Sequence, residues 1–216
     1  MHLRNVLLAI LVCSMVAMAQ VTLDSPFQIR YAANTTAGES YINMINTGAN
    51  GAPLLGPGFG GAAGNICVNI YAFSPDEQMI SCCSCFLTPN AVWNVGVNRS
   101  LTAKTLTGVI PTSVVVKLLT TLAGPGGTSG SSACNNSAAT VGTAAIVPGL
   151  LAFGTTLHAT PTGTYATTET PFLPATLSAG ELASLGGRCS SILGNGSGYG
   201  ICDDCRQGAL GGSKGQ

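Results

Sequence analysis

Alternation of apolar and polar side chains dominates the chain from residue 20 to about residue 160. The clearest case is Ile66–Phe73. Ile66, Val68, Ile70 and Ala72 fall on one face, and Cys67, Asn69, Tyr71 and Phe73 on the other. A period of two marks a strand whose faces meet different surroundings. The same reading places strands at 27–33, 40–46, 78–85, 92–98, 107–109 and 113–122, with a last one at 150–158. Turn-forming segments separate them: 34–38, the Gly/Pro-rich stretch 47–64, the turn 74–77 with Pro75 preset for its second position, and the Gly/Ser-rich loop 124–139. Many short strands with frequent turn signals predict a mainly β fold. The expected form is a β-sandwich, Ig-like or jelly-roll-like, over residues 20–160.

Beyond residue 160 the pattern changes. Residues 161–177 are rich in Thr and Pro and read as an extended arm. Ser178 followed by Glu181 is a capping box, and Leu182, Leu185, Cys189, Ile192 and Leu193 recur at helical spacing. Gly186 and Gly187 weaken that helix by about 1 kcal/mol each relative to Ala, and Gly194 ends it. Gly196, Gly198 and Gly200 form a loop that delivers Cys202 and Cys205. Residues 178–207 thus read as a short C-terminal helix plus a Cys-rich clasp, and 208–216 as a flexible tail. No internal repeat is evident.

The first nineteen residues have the form of a signal peptide. His2 and Arg4 supply the polar, positive start, an apolar run covers residues 6–16, and Ala17-Met18-Ala19 is a small-x-small cleavage site. The expected mature chain begins at Gln20. The best later apolar stretch, 109–123, carries Pro111 and Lys117 and is too short to span a bilayer, so no transmembrane segment is expected after leader cleavage.

Cleavage removes Cys13 and leaves Cys67, Cys82, Cys83, Cys85, Cys134, Cys189, Cys202 and Cys205. An even count in an exported chain predicts disulfides. Parity adds a constraint. The first group, Cys67 to Cys134, holds an odd number of cysteines, and so does the second, Cys189 to Cys205. Full pairing therefore requires an odd number of bridges between the groups, tying the C-terminal segment to the body. Cys67 lies opposite Ser84 if Pro75 and Asp76 centre the turn, and a register shift brings it opposite Cys83 or Cys85, so a cross-strand bridge there is expected. Adjacent Cys82 and Cys83 point to opposite faces of a regular strand and seek different partners. The alternative is a metal or thiol site built from the Cys82/Cys83/Cys85 and Cys202/Cys205 cluster, with Cys82, Cys85, Cys202 and Cys205 as two C-x-x-C pairs. The gap between those pairs is far longer than in zinc ribbons.

Charge narrows the function classes. The chain has 8 basic and 8 acidic residues, 7% of the total, against about 25% in an average soluble protein. So sparse and balanced a set cannot neutralise a phosphate backbone, which argues against nucleic acid as a partner. Residues 40–75 and 118–168 contain no Asp, Glu, Lys or Arg. Sheet edges are usually guarded by charge or proline. Neutral edges favour self-association or packing against cell-envelope components.

Catalytic candidates are few. Gly56, Gly58 and Gly61 match G-x-G-x-x-G, but a dinucleotide site needs a strand before it and a helix after it, and here a loop precedes and a strand follows. Ser129 and Ser197 sit in Gly/Ser-rich loops without completing G-x-S-x-G. His158 is the one histidine of the expected mature chain, so a secreted hydrolase of the Ser-His-Asp kind would have to use it. Asp76 and Glu77 read as a solvated turn, Asp203 and Asp204 as an exposed turn closed by a disulfide, and Trp93 as core. No catalytic residue and no cofactor is expected.

Three stretches, ICVNIYAFSPDEQMISCCSCFLTPN (66–90), LTGVIPTS (106–113) and PFLPATLSAGELASLGGRCSSILGNGSGYGICDDC (171–205), resemble a group of uncharacterised cysteine-rich exported proteins of soil bacteria. They cover roughly a third of the chain, and C-C-x-C followed by T-P-N is the most specific part. The resemblance implies bacterial export and carries over no functional residue. The resulting expectation is a non-enzymatic structural or interaction protein, secreted or at the cell surface, with the periplasm also open.

Overall fold

The computed structural model describes residues 23–54, 63–123, 134–142 and 145–206. The expected signal peptide 1–19, the expected tail 208–216, the motif at Gly56–Gly61 and Ser129 lie outside the described residues. The chain is mainly β. Among the described residues there are nine strands: β1 (Phe27–Ala32), β2 (Tyr41–Asn46), β3 (Ile66–Phe73), β4 (Met79–Leu87), β5 (Val92–Gly96), β6 (Val114–Leu122), β7 (Leu150–Ala159), β8 (Tyr165–Pro171) and β9 (Leu173–Pro174). One described α-helix, α1 (Ala179–Gly194), follows. The strands form two antiparallel sheets, in the order β4-β3-β6-β1-β9 and β5-β2-β7-β8.

The pairing is nested. β3 meets β4 in the first sheet, β2 meets β5 in the second, and β1 meets β6 in the first again. Nested pairs alternating between sheets are the jelly-roll way of winding, whereas the immunoglobulin order places strands ABED against CFG. Period-two alternation assigns the faces. Ile66, Val68, Ile70 and Ala72 of β3, with Val114, Val116 and Leu118 of β6, pack against Ile42 and Met44 of β2 and Leu150 and Ala152 of β7 in the inter-sheet core. The opposite side of the first sheet, carrying Phe27, Tyr71 and Leu119, is covered by α1 through Leu185, Cys189 and Ile192, and by the 3₁₀ turn Asn136–Thr140.

The helix forms where its sequence signals lie. The Ser178 hydroxyl accepts the Glu181 backbone N–H at 3.1 Å. The Glu181 carboxylate accepts from Lys117 Nζ at 2.6 Å, tying the helix start to β6. Gly186 sits over Thr140, and a Cβ there would run into the Thr140 carbonyl oxygen. The glycine that weakens the helix in isolation thus permits its close approach to the 3₁₀ turn.

Four expectations need correction. Residues 107–109 form no strand; they lie in a loop. Residues 92–98 are extended only to Gly96, after which a π-helical turn, Val97–Thr102, begins, with the Glu39 carboxylate accepting the Asn98 and Arg99 backbone N–H groups. The strand at 150–158 is not the last. The stretch 161–177 holds β8 and β9, which extend both sheets, so it is part of the sandwich and not a separate arm.

β1 places two polar side chains, Gln28 and Arg30, among the inward positions. Gln28 Nε2 donates to the Leu150 carbonyl at 2.6 Å. Arg30 crosses between the sheets, donating to Thr156 Oγ1 at 2.7 Å and to the Thr170 carbonyl at 2.6 Å. Burial holds the guanidinium below its ordinary pKa, and the nearby Glu169 charge opposes that shift. The guanidinium occupies the space over Gly154, where a Cβ would lie 2.6 Å from Arg30 Cδ.

Two predictions follow from this packing. Gly154→Ala should lower unfolding free energy by about 1–3 kcal/mol through overpacking, and by less in an Arg30→Ala background, as read from urea denaturation of the single and double variants. Tyr71 is fully buried and donates to the Ala139 carbonyl at 2.8 Å. Burial raises its pKa. The native state therefore holds the neutral phenol where the unfolded chain ionises, at about pH 10. That contribution is complete below pH ~10 and is lost as pH rises above it. Tyr71→Phe should cost about 1 kcal/mol at neutral pH and flatten the alkaline arm of a pH–stability profile.

Candidate functional site

The most concentrated chemistry is on β4, every residue of which is buried. Its C-C-x-C run obeys the strand period. Cys82 faces outward to α1, and Cys83 and Cys85 face the inter-sheet core. Cys82 is at bonding distance from Cys189 of α1, with Cα atoms 5.8 Å apart. Cys83 pairs with Cys202 (Cα separation 5.6 Å) and Cys85 with Cys205 (4.6 Å). Cys67 pairs with Cys134 at 5.4 Å. Three of the four pairs join the two cysteine groups, an odd number as parity requires.

Cys67 is the exception to the sequence reading. The expected bridge toward Cys83 or Cys85 does not form. The turn adds Glu77 in a left-handed conformation (φ 65°), and a bulge between Ala72 and Phe73 shifts the register again. Cys67 comes opposite Phe86, and with Cys134 and Phe86 it forms a small separate apolar cluster.

The clasp is seated by backbone as well as sulfur. The Cys82 N–H donates to the Gly200 carbonyl at 2.9 Å, and Ile201 pairs with Cys82 in a parallel bridge. Gly200 has φ 75°, and a Cβ there would lie 2.8 Å from Ile192 Cγ2. Only a glycine lets the segment pass between α1 and β4. The carboxylates in the clasp are paired: Asp203 with Lys104, and Asp204 with Arg99 at 3.4 Å. Asp204 Oδ2 also accepts the Gly96 N–H at 2.9 Å.

The four-cysteine metal alternative is rearranged. Cys82 lies on the far side of the sheet from Cys85, Cys202 and Cys205. Cys83 takes its place, with the sulfurs of Cys83, Cys202 and Cys205 all within 4.8 Å of one another.

The other candidates are scattered. His158, near the end of β7, lies 2.9 Å through Nε2 from Thr168 Oγ1. Asp76 accepts from Ser74 Oγ within the exposed turn. The Ser197 hydroxyl accepts the Tyr199 N–H at 3.1 Å. Trp93 is half-buried and packs against the inter-sheet core. An open groove of about 780 Å³ is lined by Thr105–Gly108 and by Ser191, Ile192, Asn195, Ser197 and Tyr199, none of them acidic or basic. Sequence reasoning missed the buried Arg30. Its signal is the alternation of β1, which sets Gln28 and Arg30 in phase with the inward Ala32.

Among the described residues no helix is long and apolar enough to cross a membrane. No family model, curated protein or solved structure matches the chain.

Non-reducing peptide mapping should recover Cys67–Cys134, Cys82–Cys189, Cys83–Cys202 and Cys85–Cys205. Replacing Cys82 and Cys189 together by Ala should cost about 2–4 kcal/mol of stability, read as a lower thermal midpoint that excess reductant lowers further.

Proposed function

We propose that the protein is an exported, disulfide-stapled module whose role is interaction at the cell surface or outside the cell, without catalysis of its own. The observation that carries this reading is strand β8. Six of its seven residues, Tyr165 to Thr170, are exposed, and among the described residues no strand pairs with its outer edge. Its single charge, Glu169, is engaged by the Asn43 amide.

The other sheet edges are shorter or partly covered: β4 is bridged by Ile201 at Cys82, β9 is two residues long and contains Pro174, and five-residue β5 is held at its Gly96 end by Asp204. A neutral, Thr-rich open edge offers backbone hydrogen bonds to an added strand. Thr–Thr pairs across such a junction are favourable. The Arg30 guanidinium, donating to Thr156 of β7 and to Thr170 of β8, keeps that edge in place. Self-association through β8, or its pairing with an envelope component, is the partner class this reading favours.

The full chain expressed with its leader should be recovered outside the cytoplasm, starting at Gln20 on N-terminal sequencing. Analytical ultracentrifugation should find it associated at micromolar concentration, and Thr167→Lys with Thr168→Lys should convert it to monomer while changing the unfolding free energy of the chain by no more than about 0.5 kcal/mol per substitution. A cytoplasmic, unprocessed product with free thiols overturns the export reading. A wild-type monomer whose cell-surface retention is insensitive to the two lysines overturns the role of β8.

A further inference from the structure

We infer that, with its bridges open, the chain binds one Zn²⁺ on the four sulfurs of Cys83, Cys85, Cys202 and Cys205. This rests neither on export nor on the β8 edge. Cys83 and Cys205 belong to different pairs, yet their sulfurs are 3.5 Å apart. With Cys202 they form a set mutually within 4.8 Å, and Cys85 is bonded to Cys205 at its margin. A tetrahedral tetrathiolate with Zn–S of about 2.3 Å places its sulfurs roughly 3.8 Å from one another. The sulfurs of Cys83, Cys202 and Cys205 are already grouped near that spacing, and Cys85 has to turn toward them to complete the set.

The sequence supplies the set in two compact pieces. Cys83-Ser84-Cys85 lies on a strand, where alternate residues share a face, and Cys202-Asp203-Asp204-Cys205 is a C-x-x-C turn. A tetrathiolate Zn²⁺ centre carries two negative charges, so adjacent carboxylates oppose it. Here Asp203 and Asp204 are each paired with a cation, Lys104 and Arg99. Val95, Val97 and Leu101 belong to the same apolar cluster as Cys83, Cys85 and Cys202, and the half-buried Cys205 packs against it. The remaining described cysteines are elsewhere. Cys82 and Cys189 lie on the opposite face of the first sheet, and Cys67 and Cys134 lie in their own cluster.

The chemistry balances with a phosphine reductant. Each bridge consumes one phosphine and one water, giving two thiols and one phosphine oxide. Binding then releases the four thiol protons. The cation would tie β4 to the C-terminal segment as the two bridges do, so metal binding and folding are coupled.

The test uses the full chain, unfolded, reduced by phosphine and refolded anaerobically, with Co²⁺ as the spectroscopic probe and Zn²⁺ as competitor. One Co²⁺ per chain should bind with the intense visible absorption of a tetrahedral thiolate site, and one Zn²⁺ should displace it. Cys83→Ser or Cys205→Ser should weaken binding by at least the roughly 10–100-fold that loss of even an outer-shell partner costs. A variant with Cys67, Cys82, Cys134 and Cys189 all changed to Ser should bind as the parent does. Circular dichroism with and without Zn²⁺ covers the case of a reduced chain that does not fold alone. The inference is overturned if Zn²⁺ neither binds stoichiometrically nor restores β structure, if Cys83→Ser binds as the parent does, or if the four-serine variant loses the site.

Discussion

The period of the β-strand governs this molecule. Successive side chains on a strand point to opposite faces, so the adjacent Cys82 and Cys83 cannot serve the same layer. One reaches out to α1, and the other, with Cys85, reaches inward to the C-terminal clasp. Strand β4 is thus fastened on both faces at once. At the margin of a sheet, where exposed backbone would otherwise invite pairing with other chains, it is also covered by Ile201. Helix, clasp and sheet margin are fixed by three neighbouring positions of one strand.

The other polar investment is Arg30. Burying a guanidinium is costly unless its donors are satisfied. Here two threonines and a carbonyl from β7 and β8 accept from its two terminal nitrogens, Nε has no partner among the described residues, and Gly154 leaves the room the side chain needs. This single side chain anchors the outermost strand of the second sheet, which has few apolar contacts of its own. Covalent bonds secure one sheet at β4, and a buried cation secures the other at β8.

Much of the sandwich was legible because period-two patterning is local. β3 runs over the residues its alternation marks, and the helix begins at the Ser178 cap and ends at Gly194. Non-local features were less legible. The partner of Cys67 depends on a register offset made by Glu77 and by a bulge, and neither is visible as an apolar pattern. The Thr-rich sequence of β8 has no apolar face and so reads as an arm, yet Arg30 and β7 hold it in the sheet. Of the candidate site, the opposite orientation of Cys82 and Cys83 was readable from spacing. That Cys83 and not Cys82 joins Cys85, Cys202 and Cys205 follows from the fold alone.

The chain order of the sulfurs has a consequence for biogenesis. Cys82, Cys83 and Cys85 emerge long before their partners, which lie 107, 119 and 120 residues further on. A polypeptide threading out from its N-terminus must carry three thiols on a strand that is otherwise ready to pair, and only Cys67 and Cys134 can join early. Covalent closure of the molecule therefore waits on its final segment. Any truncation that removes Cys189 onward leaves three orphaned thiols side by side, a species open to intermolecular crosslinking and to recognition by quality control.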